Sequence, residues 1–442
     1  MNLASTVVAS LVLLLSAVPE DPMHSRAERY TPPESIDATG AVDVTEELER
    51  FIAGVPDGSV IELPREARYR IESTLTITAR HHLTIDGNRA ALFATSEGDR
   101  NRAHVRIDGG SDLLLRELIV VGSNPDAGLG DDAYREEREA QHGFELAGTT
   151  RVELDAVAVT DVYGDAVYIG PGSDGTWSAQ VWVHDSIVAR TGRQGISVTA
   201  GRDVVIERNH LVETRRATID LEPNLPPQGA RKIHILDNTI GPGRLLFVAA
   251  HGNGPVDDVV IANNELRGRS LTISVTPPVG SRRTNFYVIG NTSNKPADRS
   301  PLRFVRIDGV VVRDNNQHLV PRRAEEGEVG VKATEVCSLE VAANDFGPET
   351  VALLQGGSRC GAPPDSRTPA PPAIPARDNS APPSSTPDNP APPSSAPTAA
   401  PDVAAPSGEV VAGAGGLTWV YALLVLAVGA GLGAVYAVRA RR

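Results

Sequence analysis

The sequence predicts an all-β protein, a right-handed parallel β-helix of about ten coils, and three observations carry that prediction. A short segment recurs along the middle of the chain: apolar, any residue, apolar, two variable residues, then often Asn. Its copies return at intervals of 23 to 39 residues, most of them in the twenties. A second strand pattern precedes several of these copies and keeps its own alignment.

The Asn-type copies read Leu83-Thr84-Ile85-Asp86-Gly87-Asn88, Val204-Val205-Ile206-Glu207-Arg208-Asn209, Ile233-His234-Ile235-Leu236-Asp237-Asn238 and Val259-Val260-Ile261-Ala262-Asn263-Asn264. Further copies end at Asn291, Asn315 and Asn344, and weaker ones place Leu118, Val157 and Ser186 at the same position. One coil of this kind cannot bury its apolar face alone, so stacking at about 4.8 Å has to build a continuous interior. The recurring Asn suits a tight turn, where its amide can bond its counterpart in the next coil and its backbone tolerates left-handed angles. Ahead of the first coil, Asp43-Val44-Thr45-Glu46 reads as a capping box. The short helix it would start, running through Ile52, presents Leu48, Phe51 and Ile52 on one face and is expected to cover the open end of the solenoid.

The second pattern supplies the candidate site. Its copies are Gln141-His142-Gly143-Phe144-Glu145-Leu146, Gly164-Asp165-Ala166-Val167-Tyr168-Ile169, Arg193-Gln194-Gly195-Ile196-Ser197-Val198 and Arg216-Ala217-Thr218-Ile219-Asp220-Leu221-Glu222. Phe144, Val167, Ile196 and Ile219 align as inward residues. Alternation then sends Glu145, Tyr168, Ser197 and Asp220 outward in one column. Asp220 and Glu222 stand two residues apart, which on a strand separates their Cα atoms by about 6.6 Å. Inverting glycosidases hold their carboxyls roughly 6.5–9.5 Å apart, so this pair can serve as general acid and base. His142, Asp165 and Tyr168 are further groups able to move a proton. Arg193 and Arg216 can bind an acidic sugar, with Glu145, Gln194 and Ser197 completing the contacts. The segment Asn124 to Ala140 interrupts the repeat just before His142 and is expected to overhang the stripe as one wall of a cleft. A Ca²⁺ could bind its Asp131, Asp132, Glu136 and Glu137, or the cluster from Asp161 to Asp165.

Both ends read as targeting segments. Residues 1–19 form an apolar signal-peptide-like stretch. Residues 361–416 are a Pro/Ala/Ser-rich stalk, with 15 prolines among the 48 residues from Gly361 to Gly408. Residues 417–438 are 22 residues without a charge, long enough to cross a bilayer, and a basic tail at 439–442 follows. That arrangement predicts a single-pass membrane protein with its β-helix, residues 36–360, outside the cell. The two cysteines, Cys337 and Cys360, flank the last core segment, and a disulfide between them would close the domain. The net charge of −14 argues against non-specific nucleic-acid binding.

The run from Asp43 to Leu92, with Pro56-Asp57-Gly58, Ile61-Glu62-Leu63-Pro64, Tyr69-Arg70-Ile71 and Leu83 to Asn88, resembles the first coils of pectin-lyase-like proteins. That superfamily includes pectate lyases, polygalacturonases and alginate-modifying enzymes, and the resemblance spans roughly Ile36 to Asn344. It implies a polysaccharide ligand and either hydrolysis or lyase chemistry; the same fold also serves as a binding, adhesion or purely structural module. Of the motifs by which polygalacturonases resemble one another, Gly130-Asp131-Asp132 is present, in the insertion, and Asn-Thr-Asp, Gly-His-Gly and Arg-Ile-Lys are absent. Val181-Trp182-Val183-His184-Asp185 is similar to a pectate-lyase strand motif with its last two residues exchanged.

Overall fold

The computed structural model describes residues 27–347, 353–355 and 369–371. The chain divides into two units, Met1–Arg377 and Asp378–Arg442, and all described residues fall in the first. The signal-peptide and membrane-span segments and Cys360 lie outside the described residues. Among the described residues no helix is long and apolar enough to cross a membrane.

Among the described residues, strands from successive coils stack into three parallel sheets of twelve, eleven and nine strands. Most coils give one strand to each sheet, so sequence neighbours within a sheet are about one repeat apart. The twelve-stranded sheet holds the Asn-type segments, among them Thr150–Asp155, Ser178–His184, Ala200–Glu207 and Gly229–Leu236. The first strand of this sheet, Arg29–Tyr30, pairs with Val60 and Ile61, ahead of residue 36. The eleven-stranded sheet holds the second pattern, in strands Phe144–Ala147, Val167–Gly170, Ile196–Val198 and Ile219–Leu221. The nine-stranded sheet, from Arg68–Arg70 to Thr292–Ser293, closes the coils between them.

The core is the shared interior of these sheets. Inward residues such as Val204, Ile206, Phe144, Val167, Ile196 and Ile219 are all 0% exposed. Alternation leaves Val260, Ala262, Tyr287, Ile289 and Val311 on the outer face of the twelve-stranded sheet, where they form a separate buried apolar cluster.

The predicted amide ladder runs along the turn after that sheet. Asn209 Nδ2 donates to Asn238 Oδ1 at 3.1 Å, Asn238 to Asn264 at 2.9 Å, Asn264 to Asn291 at 2.8 Å, Asn291 to Asn315 at 2.9 Å and Asn315 to Asn344 at 2.8 Å. The left-handed backbone is not at these asparagines. It falls on the residue before each, including Arg208 (φ 53°), Asp237 (φ 52°) and Asn263 (φ 56°), so that the following amide can point along the helix axis. Asn88, beside Leu118, stays off the ladder and donates to Leu63 O instead.

The predicted N-terminal helix forms over Thr45–Gly54 with Leu48 and Ile52 buried, and Phe51 packs partly buried on the core. Its capping box does not form. Asp43 Oδ1 accepts from Thr45 N at 3.0 Å and Thr45 Oγ1 at 2.6 Å, while Val44 occupies the cap without a side-chain bond.

Candidate active site

Parallel pairing places the predicted column in register. Arg106 lies beside Glu145, Glu145 beside Tyr168, Tyr168 beside Ser197, and Ser197 beside Asp220. A groove of about 430 Å³ follows this face of the eleven-stranded sheet. His142, Glu145, Tyr168, Arg193 and Glu222 line it, as the sequence led us to expect. Glu139 and Ala140, at the end of the insertion, form one wall. The groove also takes in Asn101, Arg106, Thr199, Asn224, Leu225 and Gln228, which the sequence reading did not single out. Arg106 was legible in principle, because Val105-Arg106-Ile107 alternates as the other copies do. Asn224, Leu225 and Gln228 stand in a turn, where alternation gives no signal.

The remaining predicted residues lie under or beside the groove. Asp165 is 0% exposed and closes a bonded cluster. It accepts from Gln194 N at 2.9 Å, from Ser197 Oγ at 2.6 Å, and from Arg193 Nη1 at 2.9 and 3.1 Å. Burial alone would raise its carboxyl, but Arg193, His142, Ser197 and the Gln194 amide outweigh burial and hold it below the usual carboxylate range. Asp165 is therefore a buried counter-charge for Arg193 rather than a group that meets substrate. Gln194 and Ser197 are buried as well, and Gln194 Nε2 donates to Asp220 Oδ2 at 2.6 Å.

Arg216 is a correction. It does not line the groove; its guanidinium lies 4.1 Å from the Tyr134 ring centre, beneath the insertion. The insertion folds as two 3₁₀ turns, Asp131–Ala133 and Glu136–Arg138, tied down by Asn124 Nδ2 to Ala133 O at 2.9 Å. Asp131, offered as a Ca²⁺ ligand, is met instead by Arg215 at 3.5 Å and by Arg244. Asp161 is likewise held by Arg190 Nε at 2.6 Å. Arginine thus meets Asp131 in the first proposed calcium cluster and Asp161 and Asp165 in the second.

His142 stacks on Tyr168, ring centres 4.6 Å apart and 13° from parallel, and Thr199 Oγ1 bonds the Tyr168 hydroxyl at 2.9 Å. Burial lowers the His142 pKa against the pull of Asp165 and Glu145, which favours the neutral ring. Its Nδ1 accepts the Asp165 backbone N–H at 3.1 Å, so the proton sits on Nε2 and the ring serves the groove as a donor, not a base. Burial also raises the Tyr168 phenol.

Asp220 is 6% exposed and does not line the groove, although Glu222, two residues on and just past the end of its strand, does. Burial and the nearby Glu222 push the Asp220 carboxyl up to about 8, against the opposing pull of Arg193 and Arg216. Its Oδ1 is buried with no hydrogen-bond partner. Glu222 is paired with Arg193 Nη2 at 2.7 Å. One guanidinium therefore ties Glu222 to Asp165, with Gln194 linking the cluster to Asp220.

The stacked parallel sheets are those of a parallel β-helix. Solved structures with this fold include the Streptococcus pneumoniae surface protein and adhesin PfbA, 12% identical with TM-score 0.50 over 74% of this chain and 100% of that one. They also include a Yersinia enterocolitica family 28 exopolygalacturonase, 11% identical with TM-score 0.51 over 76% of this chain and 77% of that one. The Agl-KA catalytic domain is similar too, 11% identical with TM-score 0.51 over 75% of this chain and 69% of that one. At such identity the likeness is one of fold. No family model and no curated protein matches the chain.

Proposed function

We propose that this protein binds a polysaccharide chain along the outer face of the eleven-stranded sheet and hydrolyses it there. The observation that carries the reading is the neighbouring carboxyls of Glu222, which lines the groove, and Asp220, just beneath it, whose pKa burial and Glu222 push up to about 8. A neutral acid beside a second carboxyl is the arrangement glycoside hydrolysis uses, the first protonating the leaving oxygen and the second activating water. The stacked His142–Tyr168 pair offers a flat surface with donors at its edge, suited to a sugar ring. The fold likeness to a polygalacturonase and to the Agl-KA catalytic domain supports this reading.

The same reading places the helix at Thr45–Gly54 over the open end of the solenoid. It also carries the domain outside the cell on a proline-rich stalk with a C-terminal anchor.

Asp220→Asn and Glu222→Gln, assayed for released sugar on a panel of neutral and uronate polysaccharides, test the proposal. Loss of product with ligand retention is expected, and unchanged turnover in both removes the pair. A non-catalytic binding role is favoured by one observation, that Asp165 and Glu222 are already engaged by Arg193. A wild-type protein that retains glycans on an array and releases nothing would establish that second reading.

A further inference from the structure

A second constellation stands on the outer face of the twelve-stranded sheet, away from the groove. Strand Thr150–Asp155 sends Glu153 and Asp155 outward, and in the next coil Asp155 is paired in register with His184 and Glu153 with Trp182. His184 is only 5% exposed and its imidazole lies among carboxylates: Nε2 is 3.1 Å from Glu153 Oε1, and Nδ1 is 3.5 Å from Asp155 Oδ1 and 2.7 Å from Asp185 Oδ2. One ligand atom from each of Glu153, Asp155 and His184 lies within 4.8 Å of the other two. We propose that Glu153, Asp155 and His184 form a site for a divalent first-row cation, with Zn²⁺ the best fit.

Two features beyond proximity point to a metal. His184 is backed by Asp185, and Asp185 is itself gripped by Arg208, Nε to Oδ1 at 3.0 Å and Nη2 to Oδ2 at 2.7 Å. That chain of arginine, carboxylate and imidazole is the outer support that fixes tautomer and ring orientation in metal-binding histidines, leaving Nε2 to bind. The second feature is the charge slot. Carboxylates of Glu153, Asp155 and Asp185 converge on one ring, Glu153 on Nε2 and Asp185 on Nδ1. A cation at Nε2 would sit among that negative charge and leave the Nδ1 proton to Asp185. Trp182, its ring centre 3.8 Å from that of His184, forms an apolar wall and donates to Glu207 Oε1 at 3.0 Å. One imidazole with two carboxylates suits Zn²⁺ or Mn²⁺ and disfavours Ca²⁺ and Mg²⁺, which take all-oxygen shells.

The test is calorimetric titration of the untagged full chain with Zn²⁺, Mn²⁺ and Ca²⁺ at pH 7.5. One Zn²⁺ per chain is expected, insensitive to excess Ca²⁺ and weakening as the pH falls and His184 takes a proton. His184→Ala should abolish uptake, and Asp185→Asn should weaken it about 10–100-fold by releasing the ring. If His184→Ala loses its near-ultraviolet circular dichroism, Glu153→Gln serves in its place, with at least a tenfold loss expected. Zn²⁺ uptake that is absent in the wild type, or undiminished in His184→Ala and Glu153→Gln, overturns the proposal.

Discussion

Arg193 reaches Asp165 through Nη1, at 2.9 and 3.1 Å from its two oxygens, so the groove's central cation is held from beneath by a carboxylate that solvent does not touch. Removing one member of a buried pair leaves the other uncompensated, which costs about 3–5 kcal/mol. Asp165→Asn should therefore destabilise the domain on the order of 3 kcal/mol, since Glu222 still balances part of the charge. Arg193→Met, which removes the cation and keeps the volume, should cost less in combination with Asp165→Asn than the two singles summed. Urea unfolding of the singles and the double measures this coupling.

The Asp220 carboxyl makes stability depend on pH in a direction opposite to that of most carboxylates. Its pKa is about 8 in the folded chain and near 3.8 without the fold, so between those values the native state binds the extra proton. Stability from this group is fully present below about pH 3.8 and is lost as pH rises towards 8, with a slope of up to about 1.4 kcal/mol per unit. Asp220→Asn should flatten that slope. In the hydrolase reading, kcat/KM should also fall on the alkaline side near pH 8, because the general acid loses its proton. Thermal unfolding from pH 5 to 9 in wild type and variant checks the first expectation.

The amide ladder should behave as a chain of buried bonds rather than as independent turns. Asn264 is 0% exposed, donates to Ile235 O and Asn291 Oδ1, and accepts from Asn238 N and Nδ2. Asn264→Ala leaves those buried groups without partners, at about 1–3 kcal/mol for each unsatisfied group. Asn344, at the ladder's less buried end, accepts from Asn315 and donates to Val312 O and Ala342 O but passes no bond on to a further Asn among the described residues, so Asn344→Ala should cost clearly less. Denaturation midpoints of the two variants decide it.

What the sequence made legible follows from two periodicities. Alternation fixed which residues of Phe144–Leu146, Val167–Ile169, Ile196–Val198 and Ile219–Leu221 face inward, and the repeat spacing fixed their register, so the outward column came out in its observed order. Depth was not legible. Asp165 precedes its strand, and only the packing of Arg193 and Ser197 around it shows that it is sealed. The same limit hid the partner of Arg216, since no local pattern announces that Tyr134 folds back over it across a long insertion. The cluster around His184 left a trace in Val181-Trp182-Val183-His184-Asp185, but its other half, Glu153 and Asp155, sits one coil earlier and becomes visible only through strand pairing.

Arg216 separates a wall-building role from a substrate-binding one. Its guanidinium stacks on Tyr134, whose hydroxyl donates to Glu139 Oε2 at 2.9 Å, and Glu139 in turn lies 3.4 Å from Arg193 Nε and lines the groove. The arginine thus acts on the groove through the insertion. A cation–π contact of this kind contributes about 0.5–2 kcal/mol, enough to shift how often the loop lifts without unfolding the coils. Arg216→Ala should speed proteolytic nicking between Asn124 and Ala140 several-fold while the denaturation midpoint changes little. Tyr134→Ala should reproduce that effect, and Tyr134→Phe should show a smaller one, because the ring stack survives and only the bond to Glu139 is lost. Limited proteolysis of the three variants, mapped by mass spectrometry, measures it; equal nicking in Arg216→Ala and wild type would remove the wall-building role.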